Sequence, residues 1–356
     1  MWLTSSLTTV LTPTAVALGN FDGVHRGHQQ VVRPVLQSAA IQTGQRASLQ
    51  GGQREILTDN ATEGNQIPSQ AETTARPYPT VVSFYPHPQE FFTGQPRALL
   101  TPPKEKAMAL GNLGVEQLVL LPFDRELADL TPQQFVEEIL VRRLKSQRIS
   151  VGQDFRFGCK RTGTATDLQA IAATYGIETT IVGLQICSGE RISSSFIRTA
   201  LTEGDISRAN QLLGRSYTLT GTVVQGQQLG RTIGFPTANL HLPPEKFLPR
   251  KGVYAVQVKI ENGDTAKATL RERSSEPGNI MPCPIPGVMN IGCRPTVKGT
   301  TPTVEVYLID WTGDLYGQTL TVSLEQFLRP EQKFASLDEL KAQIQADCDK
   351  ARSVLK

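Results

Sequence analysis

The stretch ALGNFDGVHRGHQQVV, residues Ala17 to Val32, joins the end of an apolar strand to the start of a helix through a short glycine-rich turn. The chain has only four histidines, and two of them, His25 and His28, lie three residues apart in this stretch. Side chains three residues apart at a helix start face the same side. There the free backbone N–H groups and the positive end of the helix dipole favour phosphate. The stretch therefore predicts a phosphate site at the carboxyl end of a strand.

Other roles are open for this pair of histidines. Two imidazoles at this spacing also suit helix caps or half of a metal site. The metal site lacks companions, because no cysteine lies nearby and His87 is the only other histidine in this half of the chain. Gly27, between the pair, leaves room for a ligand. Pro34 predicts a kinked or short first helix, because proline lacks the N–H that an interior turn needs.

The first half of the chain alternates short apolar runs with amphipathic segments, which is the pattern of a parallel sheet covered by helices. The helical segment Thr131–Lys145 begins with a threonine cap and has Pro132 at the first helical position. Ligands of such α/β sheets bind beyond the carboxyl ends of the strands, where glycine-rich turns lead into helices. The predicted strands are Val16–Leu18, Thr80–Phe84, Gln117–Leu121 and Arg148–Val151.

The second half changes character after about Tyr217. Four segments alternate apolar and polar residues with a period of two, and glycine and proline turns separate them, which predicts an antiparallel barrel or sandwich. These segments are TLTGTVV, GVYAVQVKI, TVEVYLID and LTVSLEQFL. A closing helix follows, with Ser336 and Glu339 as a capping box and one apolar stripe that predicts docking on the strands.

Two polar stretches without sustained periodicity read as insertions. We expect Gln45–Pro79 to form a long mobile loop and Glu261–Pro286 to extend a hairpin. Neither stretch carries a chemical motif, so the sequence does not indicate a role for them.

Length and composition predict two soluble domains. The 356 residues exceed the size at which one core usually stops growing, and 39% hydrophobic with 19% charged residues is typical of soluble globular proteins. A net charge of +3 does not indicate a nucleic-acid partner, and no apolar run approaches the roughly 20 residues that span a bilayer. Five scattered cysteines without a CxxC pair, and an N-terminus without the basic start of a signal peptide, predict a reducing cytoplasm.

Four motifs in the first half resemble one branch of the nucleotidyltransferase superfamily. The stretch GNFDGVHRGHQ resembles the HxGH signature of that superfamily. Downstream, SFYPHP (Ser83–Pro88), SVGQDFRFG (Ser150–Gly158) and RISSSFIR (Arg191–Arg198) follow in the order found in the prokaryotic FAD synthetase family, whose N-terminal module adenylates FMN. Class I aminoacyl-tRNA synthetases share the HxGH logic, but the chain has no KMSKS-like lysine loop.

The resemblance implies a role for each matching residue. His25 and His28 would hold the triphosphate and stabilise the charge that builds on the transferred phosphorus. Phe155 resembles a flavin or adenine contact, and His87, between two prolines, is either a flavin-site residue or a turn residue. Ser195 stands where the family often has threonine, and the hydroxyl is retained. The implied ATP-binding residues are Gly19, Asn20, Phe21, Asp22, Gly23, Gly27, Asp154, Arg191, Ser194, Ser195 and Arg198, of which the last four would close over the nucleotide from a second helix start.

The second half carries the more specific resemblance. The stretches GRSYTLTGTVVQGQQLGRTIGFPTANL (Gly214–Leu240) and GVMNIGCRPTVKG (Gly287–Gly299), followed by VEVYLIDWTGDLYG and LRPEQKFASLDEL, are similar to riboflavin kinase. The resemblance implies an antiparallel β-barrel riboflavin kinase domain with a terminal helix, joined to a Rossmann-like nucleotidyltransferase domain in the first half. The overall fold class is then α/β followed by a barrel.

The kinase half contains no GxxxxGK[ST] loop, so it must hold phosphates differently. Gly226, Gly230 and Gly234 permit close backbone approach to ATP. Thr237 and Asn239 offer hard oxygen ligands two residues apart, which suit Mg²⁺. Thr237 is therefore a candidate for both the nucleotide and the metal.

Glu305 is a carboxylate in the otherwise apolar strand Val304–Ile309. Periodicity alone favours a surface-facing side chain, whereas the resemblance implies the base that takes the proton of the ribityl hydroxyl. Arg329 resembles the flavin-side residues of the family. The family frequently has histidine at the position of Tyr307.

Together the motifs predict a bifunctional enzyme with a nucleotidyltransferase domain at 1–200, a linker at 201–216 and a riboflavin kinase domain at 217–356. It would use ATP and Mg²⁺ to convert riboflavin to FMN, and ATP to convert FMN to FAD with release of pyrophosphate. We expect no nucleic-acid or membrane partner, and the sequence leaves a homo-oligomer open. The rival hypotheses are a single-activity riboflavin kinase with a degenerate N-terminal flavin- or nucleotide-binding module, and a non-enzymatic flavin- or RNA-binding protein.

Overall fold

The computed structural model describes residues 1–49, 76–187, 189–226, 230, 233–261, 284–296 and 299–355. By contacts between residues, the chain divides into two compact units. Unit 1 comprises Met1–Arg97 and Lys106–Gln185, and unit 2 comprises Ala98–Glu105 and Ile186–Lys356. The predicted domain limits at 200 and 217 concern activities, and they stay a prediction.

A sheet of six parallel strands forms the centre of unit 1, in the order β1-β4-β3-β2-β5-β8. This confirms the parallel sheet and the four strands predicted from apolar runs. Its central strand β2 is buried on both faces: Val16 and Leu18 pack into one hydrophobic cluster, and Ala15 and Ala17 into another. The strands are β1 (Trp2–Thr4), β2 (Thr14–Leu18), β3 (Tyr78–Tyr85), β4 (Gln117–Pro122), β5 (Ser146–Gly152) and β8 (Glu178–Val182), and a separate antiparallel pair comprises β6 (Arg156–Phe157) and β7 (Gly163–Thr164).

Helices of the first half lie between these strands. They are α1 (Arg26–Leu49), α2 (Pro88–Thr93), α3 (Pro103–Gly111), α4 (Arg125–Asp129), α5 (Pro132–Gln134) and α6 (Ala165–Ala173), with a π-helix at Phe135–Arg143 and a 3₁₀ turn at Cys159–Arg161. The predicted start of the segment at Thr131 is confirmed, because its side chain accepts from Gln134 N–H and completes a capping box. The continuation is π-helical: Leu144 N–H donates to Ile139 C=O, five residues back.

Helix α1 corrects the prediction of a short first helix, because it continues through Pro34 to Leu49. The alternative, a kink at Pro34, stays a prediction. Val31, Val32 and Val35 of α1 are buried in the core beneath it. Each buried valine stabilises by about 1.5 kcal/mol or more, which together exceeds the cost of about 3 kcal/mol for a proline inside a helix. Residues 45–49 also belong to α1 and residues 78–79 to β3, so the ends of the predicted loop Gln45–Pro79 are regular structure, while residues 50–75 lie outside the described residues.

Unit 2 is built on a closed barrel of six antiparallel strands in the order β11-β12-β15-β14-β13-β16. Closure decides between the predicted barrel and sandwich. Leu219, Val256, Met289, Val306 and Val322, one from each of five strands, are fully buried in its interior. The strands are β11 (Tyr217–Val224), β12 (Ala238–His241), β13 (Gly252–Ile260), β14 (Ile285–Thr296), β15 (Gly299–Leu308) and β16 (Thr319–Arg329), preceded by the short pair β9 (Ile186–Cys187) and β10 (Glu190–Arg191). Strands β13 and β14 form the predicted hairpin, and residues 262–283 between them lie outside the described residues.

Among the residues that the structure describes in unit 2, three helices accompany the barrel: α7 (Ser194–Glu203), α8 (Ile206–Leu213) and α9 (Leu337–Val354). The segment 201–216, predicted as a linker, contains α8, whose buried Ile206 and Leu213 join the barrel core. Ser336 caps α9, but Glu339 accepts from Ala335 N–H rather than from the cap, so the capping box is only half formed. No helix in the described part of the chain is long and apolar enough to cross a membrane.

A buried ion pair fixes the segment Ala98–Glu105 within unit 2. Lys246 Nζ lies 2.5 Å from Glu105 Oε2 and donates to Leu100 C=O at 2.7 Å. The Lys246 side chain is 1% exposed and that of Glu105 7% exposed. The Lys246 ammonium also lies 4.4 Å from the centre of the Tyr217 ring. A segment from the first half of the sequence is therefore an integral part of the unit that contains the barrel.

Candidate active sites

The loop between β2 and α1 adopts a strained backbone. Phe21 has φ 47° and Val24 has φ 44°, values in the left-handed region that bulky and β-branched residues rarely adopt. Gly23, at φ 89°, adopts this region without a steric cost. Both Phe21 and Val24 are 1% exposed, so their burial in the core keeps the strained conformation. This conformation brings the chain to the start of α1 with the histidines at the first turn.

His25 is the cap of α1. Its Nδ1 accepts a hydrogen bond from the backbone N–H of His28 at 3.2 Å. An imidazole nitrogen that accepts carries no proton, so the proton of neutral His25 is on Nε2. His25 therefore caps α1 through Nδ1, which is one of the roles that the spacing of the histidines left open. The opposite nitrogen is a donor that remains suited to a phosphate oxygen.

The rings of His25 and His28 stack, with centroids 3.6 Å apart and planes 14° from parallel. Burial, the neighbouring His25 and the ammonium of Lys106 hold the pKa of His28 well below its usual value. His28 Nδ1 is buried and has no hydrogen-bond partner among the described residues. His28 is therefore neutral at pH 7 in the free protein. An arriving polyphosphate would favour its protonated form, because a nearby negative charge stabilises the cation.

Lys106 lies in the same site and was not predicted from the sequence. It is 6% exposed, and its Nζ donates to Asn20 C=O at 2.7 Å and to Ser83 Oγ at 2.9 Å. Burial lowers the pKa of Lys106 to about 8, against the raising effect of Asp22. The ammonium group is therefore mostly charged at pH 7. The sequence contains no signal that singles out Lys106, because Lys104 and Lys106 of a short charged helix would both be expected to face solvent.

An aromatic cluster, Phe84, Phe91, Phe92 and Phe123, lies beside the predicted flavin residue His87. The Phe123 ring is 5.4 to 5.7 Å from the other three rings, edge to face. Phe92 is 66% exposed and Phe91 37% exposed, so their rings are accessible to a planar ligand. His87 caps α2 by accepting from Gln89 N–H at 3.1 Å. The turn role of His87 is thus present, and the sequence signal for the cluster was the EFF that follows PHPQ.

In unit 2, three adjacent barrel strands place Asn239, Glu305 and Asn290 side by side. Glu305 of β15 is directly opposite Asn239 of β12 and Asn290 of β14. All three are partly buried, whereas Val304 and Val306 point into the barrel. Paired residues on neighbouring strands share a face, so the three side chains form one row on the outside of the barrel. Periodicity correctly placed Glu305 on the outer face, and it missed Asn290.

Glycines approach the candidate metal ligands closely. A side chain at Gly226 would collide with the amide of Asn239. A Cβ at Gly230 would stand 3.4 Å from Thr237 Oγ1. Thr237 and Asn239 therefore both face the glycine stretch that sequence analysis assigned to ATP. No cluster of three or more acidic, histidine or cysteine side chains suited to a metal occurs in the described ranges. A hydroxyl and an amide with phosphate oxygens fit Mg²⁺, which takes few protein ligands.

Comparison with known proteins decides the family. A family model described as FAD synthetase matches residues 7–48 and 65–196, and a model described as riboflavin kinase matches residues 213–355. The chain is 40% identical over 333 residues to the bifunctional riboflavin kinase/FMN adenylyltransferase of Escherichia coli K12, covering 93% of this chain and 90% of that protein. This chain belongs to the bifunctional riboflavin kinase/FMN adenylyltransferase family. Both family domains are present and both are transferases, so the chain is a bifunctional enzyme of FMN and FAD synthesis, and the single-activity alternative is not favoured.

Further relatives extend over nearly the whole chain. The bifunctional riboflavin kinase/FMN adenylyltransferase of Pseudomonas fluorescens is 36% identical, covering 95% of this chain and 91% of its own. The Listeria monocytogenes member is 35% identical, covering 93% and 89%. A Streptococcus pneumoniae crystal structure, titled a macrolide-efflux protein, covers 98% of both chains with a TM-score of 0.73 and 28% identity. These matches confirm the resemblance and the fold class drawn from the motifs.

The remaining residues assigned by resemblance to the bifunctional family fall in both units. Gly19, Asn20, Phe21, Asp22 and Gly23 lie in the loop between β2 and α1 of unit 1, and Gly27 lies in the first turn of α1 between the two histidines. Asp154 is exposed in the turn after β5, and Phe155 stacks on Phe157 with centroids 5.8 Å apart. Arg191, Ser194, Ser195 and Arg198 belong to unit 2, at β10 and α7. That they close over the same nucleotide as the histidines stays a prediction.

Local contacts show what some of these residues do in the fold. Ser193, which was not singled out, caps α7 by accepting from Phe196 N–H. The Arg198 guanidinium lies 4.9 Å from the Phe247 ring centre. Arg329 forms an ion pair with the buried carboxylate of Asp347 at 2.8 Å. This pair holds α9 against β16, so Arg329 has a structural role, and its predicted flavin contact stays a prediction.

Proposed function

We propose that FMN adenylylation takes place at the histidine site of unit 1, and that riboflavin phosphorylation takes place at the Asn239–Glu305–Asn290 row of the barrel. The observation that supports this most strongly is that each family domain carries one compact set of groups suited to its reaction. In unit 1 these are stacked imidazoles at a helix start. In unit 2 they are a carboxylate flanked by amides, near a glycine stretch.

In FMN adenylylation, a phosphate oxygen of FMN attacks the α-phosphorus of ATP. The bond from that phosphorus to the bridging oxygen breaks, and pyrophosphate leaves with the electron pair. His25 donates from Nε2 to a phosphate oxygen, since its Nδ1 is held by the helix backbone. His28 becomes protonated as the polyphosphate arrives and stabilises the charge on the transferred group. Such preorganised donors act mainly by electrostatic stabilisation and by positioning.

The exposed aromatic cluster is the proposed platform for the isoalloxazine ring of FMN. Phe91 and Phe92 offer ring faces next to the capped turn at His87. A flat, three-ring flavin gains stacking energy on such faces without a specific hydrogen-bond pattern. The predicted flavin contacts His87 and Phe155 are retained in this proposal, with the two phenylalanines added.

In riboflavin phosphorylation, the ribityl hydroxyl oxygen attacks the γ-phosphorus of ATP and ADP leaves. Glu305 accepts the hydroxyl proton, which is the role of a general base within hydrogen-bond reach. Asn239 and Asn290, one on each side, orient the carboxylate. Thr237 and Asn239 would hold Mg²⁺ against phosphate oxygens, where the ion would neutralise the charge of the transferred group.

Location and partners follow from the same proposal. Substrates of these reactions are small molecules, namely riboflavin, FMN and ATP. We infer a cytoplasmic enzyme without a nucleic-acid or membrane partner, supported by the low net charge and by five scattered cysteines without a CxxC pair.

Replacing Glu305 tests the assignment of the kinase base. Glu305→Gln keeps the shape but cannot accept a proton, so riboflavin phosphorylation should fall by roughly 10²- to 10⁴-fold. The same protein, given FMN and ATP, should make FAD at the parental rate. Glu325→Gln is the matched control, because Glu325 is also a partly buried strand carboxylate, bonded to Ser216 Oγ at 2.9 Å. Parental riboflavin phosphorylation by Glu305→Gln would contradict the assignment.

A further inference from the structure

A buried lysine with only neutral hydrogen-bond partners lies behind the histidine pair. Lys106 Nζ donates to the carbonyl of Asn20 and to Ser83 Oγ, and Ser83 Oγ in turn donates to the same carbonyl at 2.9 Å. Ser83 is fully buried and Lys106 is 6% exposed. Three elements therefore meet at one point: the loop after β2, the end of β3, and α3.

The stability of the fold does not explain a charged lysine at this buried position. Burying an ammonium group costs free energy, and the two neutral hydrogen-bond partners together with the attraction of Asp22 repay it only in part, since the pKa of Lys106 stays below its usual value. A methionine of similar volume would pack at the same point without that cost. Lys106 nevertheless stays mostly charged at pH 7, because burial lowers its pKa only to about 8. A buried charge that is retained at a cost points to a role in the site.

The contacts specify what this role is. Asn20 lies in the strained loop that carries the chain from β2 to His25, one residue before Phe21 with its φ of 47°. Its carbonyl accepts two hydrogen bonds, one from Lys106 and one from Ser83. This double attachment fixes the loop to the end of β3. Helix α1, which has His25 as its cap and His28 in its first turn, begins six residues after Asn20.

We propose that Lys106 is a positioning residue of FMN adenylylation, which anchors the Asn20 carbonyl to β3 and so sets where the imidazoles of His25 and His28 stand. The inference rests on the proposed histidine site. The positive charge of Lys106 also acts on His28, whose pKa it helps to lower. Removing that charge should therefore raise the pKa of His28, whereas loss of a purely structural contact would leave it unchanged.

The test uses Lys106→Met in the full chain, with Lys104→Met, the exposed lysine of the same helix, as the matched control. Misplacing reacting groups by about 1 Å costs about 10²-fold in rate. We therefore expect Lys106→Met to lower kcat for FMN to FAD about 100-fold while riboflavin phosphorylation is retained. NMR titration of labelled imidazoles, simple in a chain with four histidines, should show a raised pKa for His28. Lys104→Met should match the parent in all three measurements.

Ser83→Ala provides a second test that keeps the lysine charge. It removes one of the two attachments of the Asn20 carbonyl, so FAD synthesis should fall without a change in the His28 pKa. Parental FAD synthesis by Lys106→Met, or by Ser83→Ala if Lys106→Met does not fold, overturns the inference. So does a rate loss in Lys106→Met with an unshifted His28 pKa. If His28→Ala also makes FAD at the parental rate, the assignment of the histidine site itself is wrong. If His28→Ala loses FAD synthesis while Lys106→Met and Ser83→Ala keep it, only the proposed role of Lys106 is wrong.

Discussion

Replacing Glu105 by glutamine should destabilise unit 2, although Glu105 lies about 80 residues before that unit's main segment begins. In the folded protein the variant removes the carboxylate that lies 2.5 Å from the buried Lys246 ammonium, which keeps its contacts with the Leu100 carbonyl and the Tyr217 ring. Removing one partner of a buried ion pair costs about 3–5 kcal/mol. For a unit of this size, about 1 kcal/mol shifts the melting temperature by 2–4 °C. The expected decrease is therefore roughly 6–20 °C.

Tryptophan fluorescence can follow unit 2 alone in this assay. The chain has two tryptophans, Trp2 in unit 1 and Trp311 in unit 2, so a Trp2→Phe background reports Trp311. The control is Arg352→Gln, which breaks an exposed ion pair with Asp310 in the same unit and should cost at most about 1 kcal/mol. The double variant Glu105→Gln/Lys246→Met removes both charges and should recover most of the loss. Equal shifts in Glu105→Gln and Arg352→Gln, or additive effects in the double variant, would refute the reasoning.

Three further predictions follow from single features of the structure. Because folding lowers the pKa of His28, the unfolded chain binds more protons than the folded protein below about pH 6.5. Urea midpoints should therefore fall as the pH falls below that value, and they should fall less steeply in His28→Gln. Equal slopes for the two proteins would count against the burial of a neutral imidazole. Phe92→Ala should raise KM for FMN roughly 5- to 150-fold, the equivalent of about 1–3 kcal/mol of stacking free energy. Riboflavin phosphorylation is the control and should not change. An unchanged KM for FMN would contradict the proposed stacking of the flavin on the aromatic cluster. A fragment that starts at Asp205 should phosphorylate riboflavin but unfold at a lower urea concentration than the barrel in the full chain, because it lacks Glu105 and the buried residues of α7. Lys246→Met in the fragment should restore the part of the loss that is due to the ion pair, and no gain from Lys246→Met would argue against the ion pair.

Features set by neighbouring residues could be predicted from the sequence. The threonine cap at Thr131 and the proline after it are local signals, so the start of that helix was predicted correctly. Alternation in β15 placed Glu305 on the outer face of the barrel for the same reason. The parallel sheet followed from apolar runs at regular spacing, since strands buried on both faces leave that pattern.

Features set by distant contacts could not be predicted. Pro34 signals a helix break locally, and only the burial of the valines around it lets α1 continue. Spacing could not decide whether His25 caps or binds, because the two roles use different nitrogens of one ring: Nδ1 caps the helix, and the proposed phosphate contact uses Nε2. Lys106 and Glu105 look alike in a short charged helix, and their burial depends on Asn20 and Lys246, which are remote in sequence. Pattern alone carries no information on such contacts.

The most direct test of the two-site account is the product made by His28→Ala from riboflavin and Mg-ATP. Loss of one preorganised donor to phosphate typically costs about 10²- to 10³-fold in rate, and the kinase groups of unit 2 are untouched. Separation of the flavins should therefore show FMN accumulating at the parental rate with little FAD. His241→Ala, an exposed histidine at the end of β12, should make FAD as the parent does. FAD formation by His28→Ala at the parental rate, or loss of FMN formation together with FAD, would contradict the account.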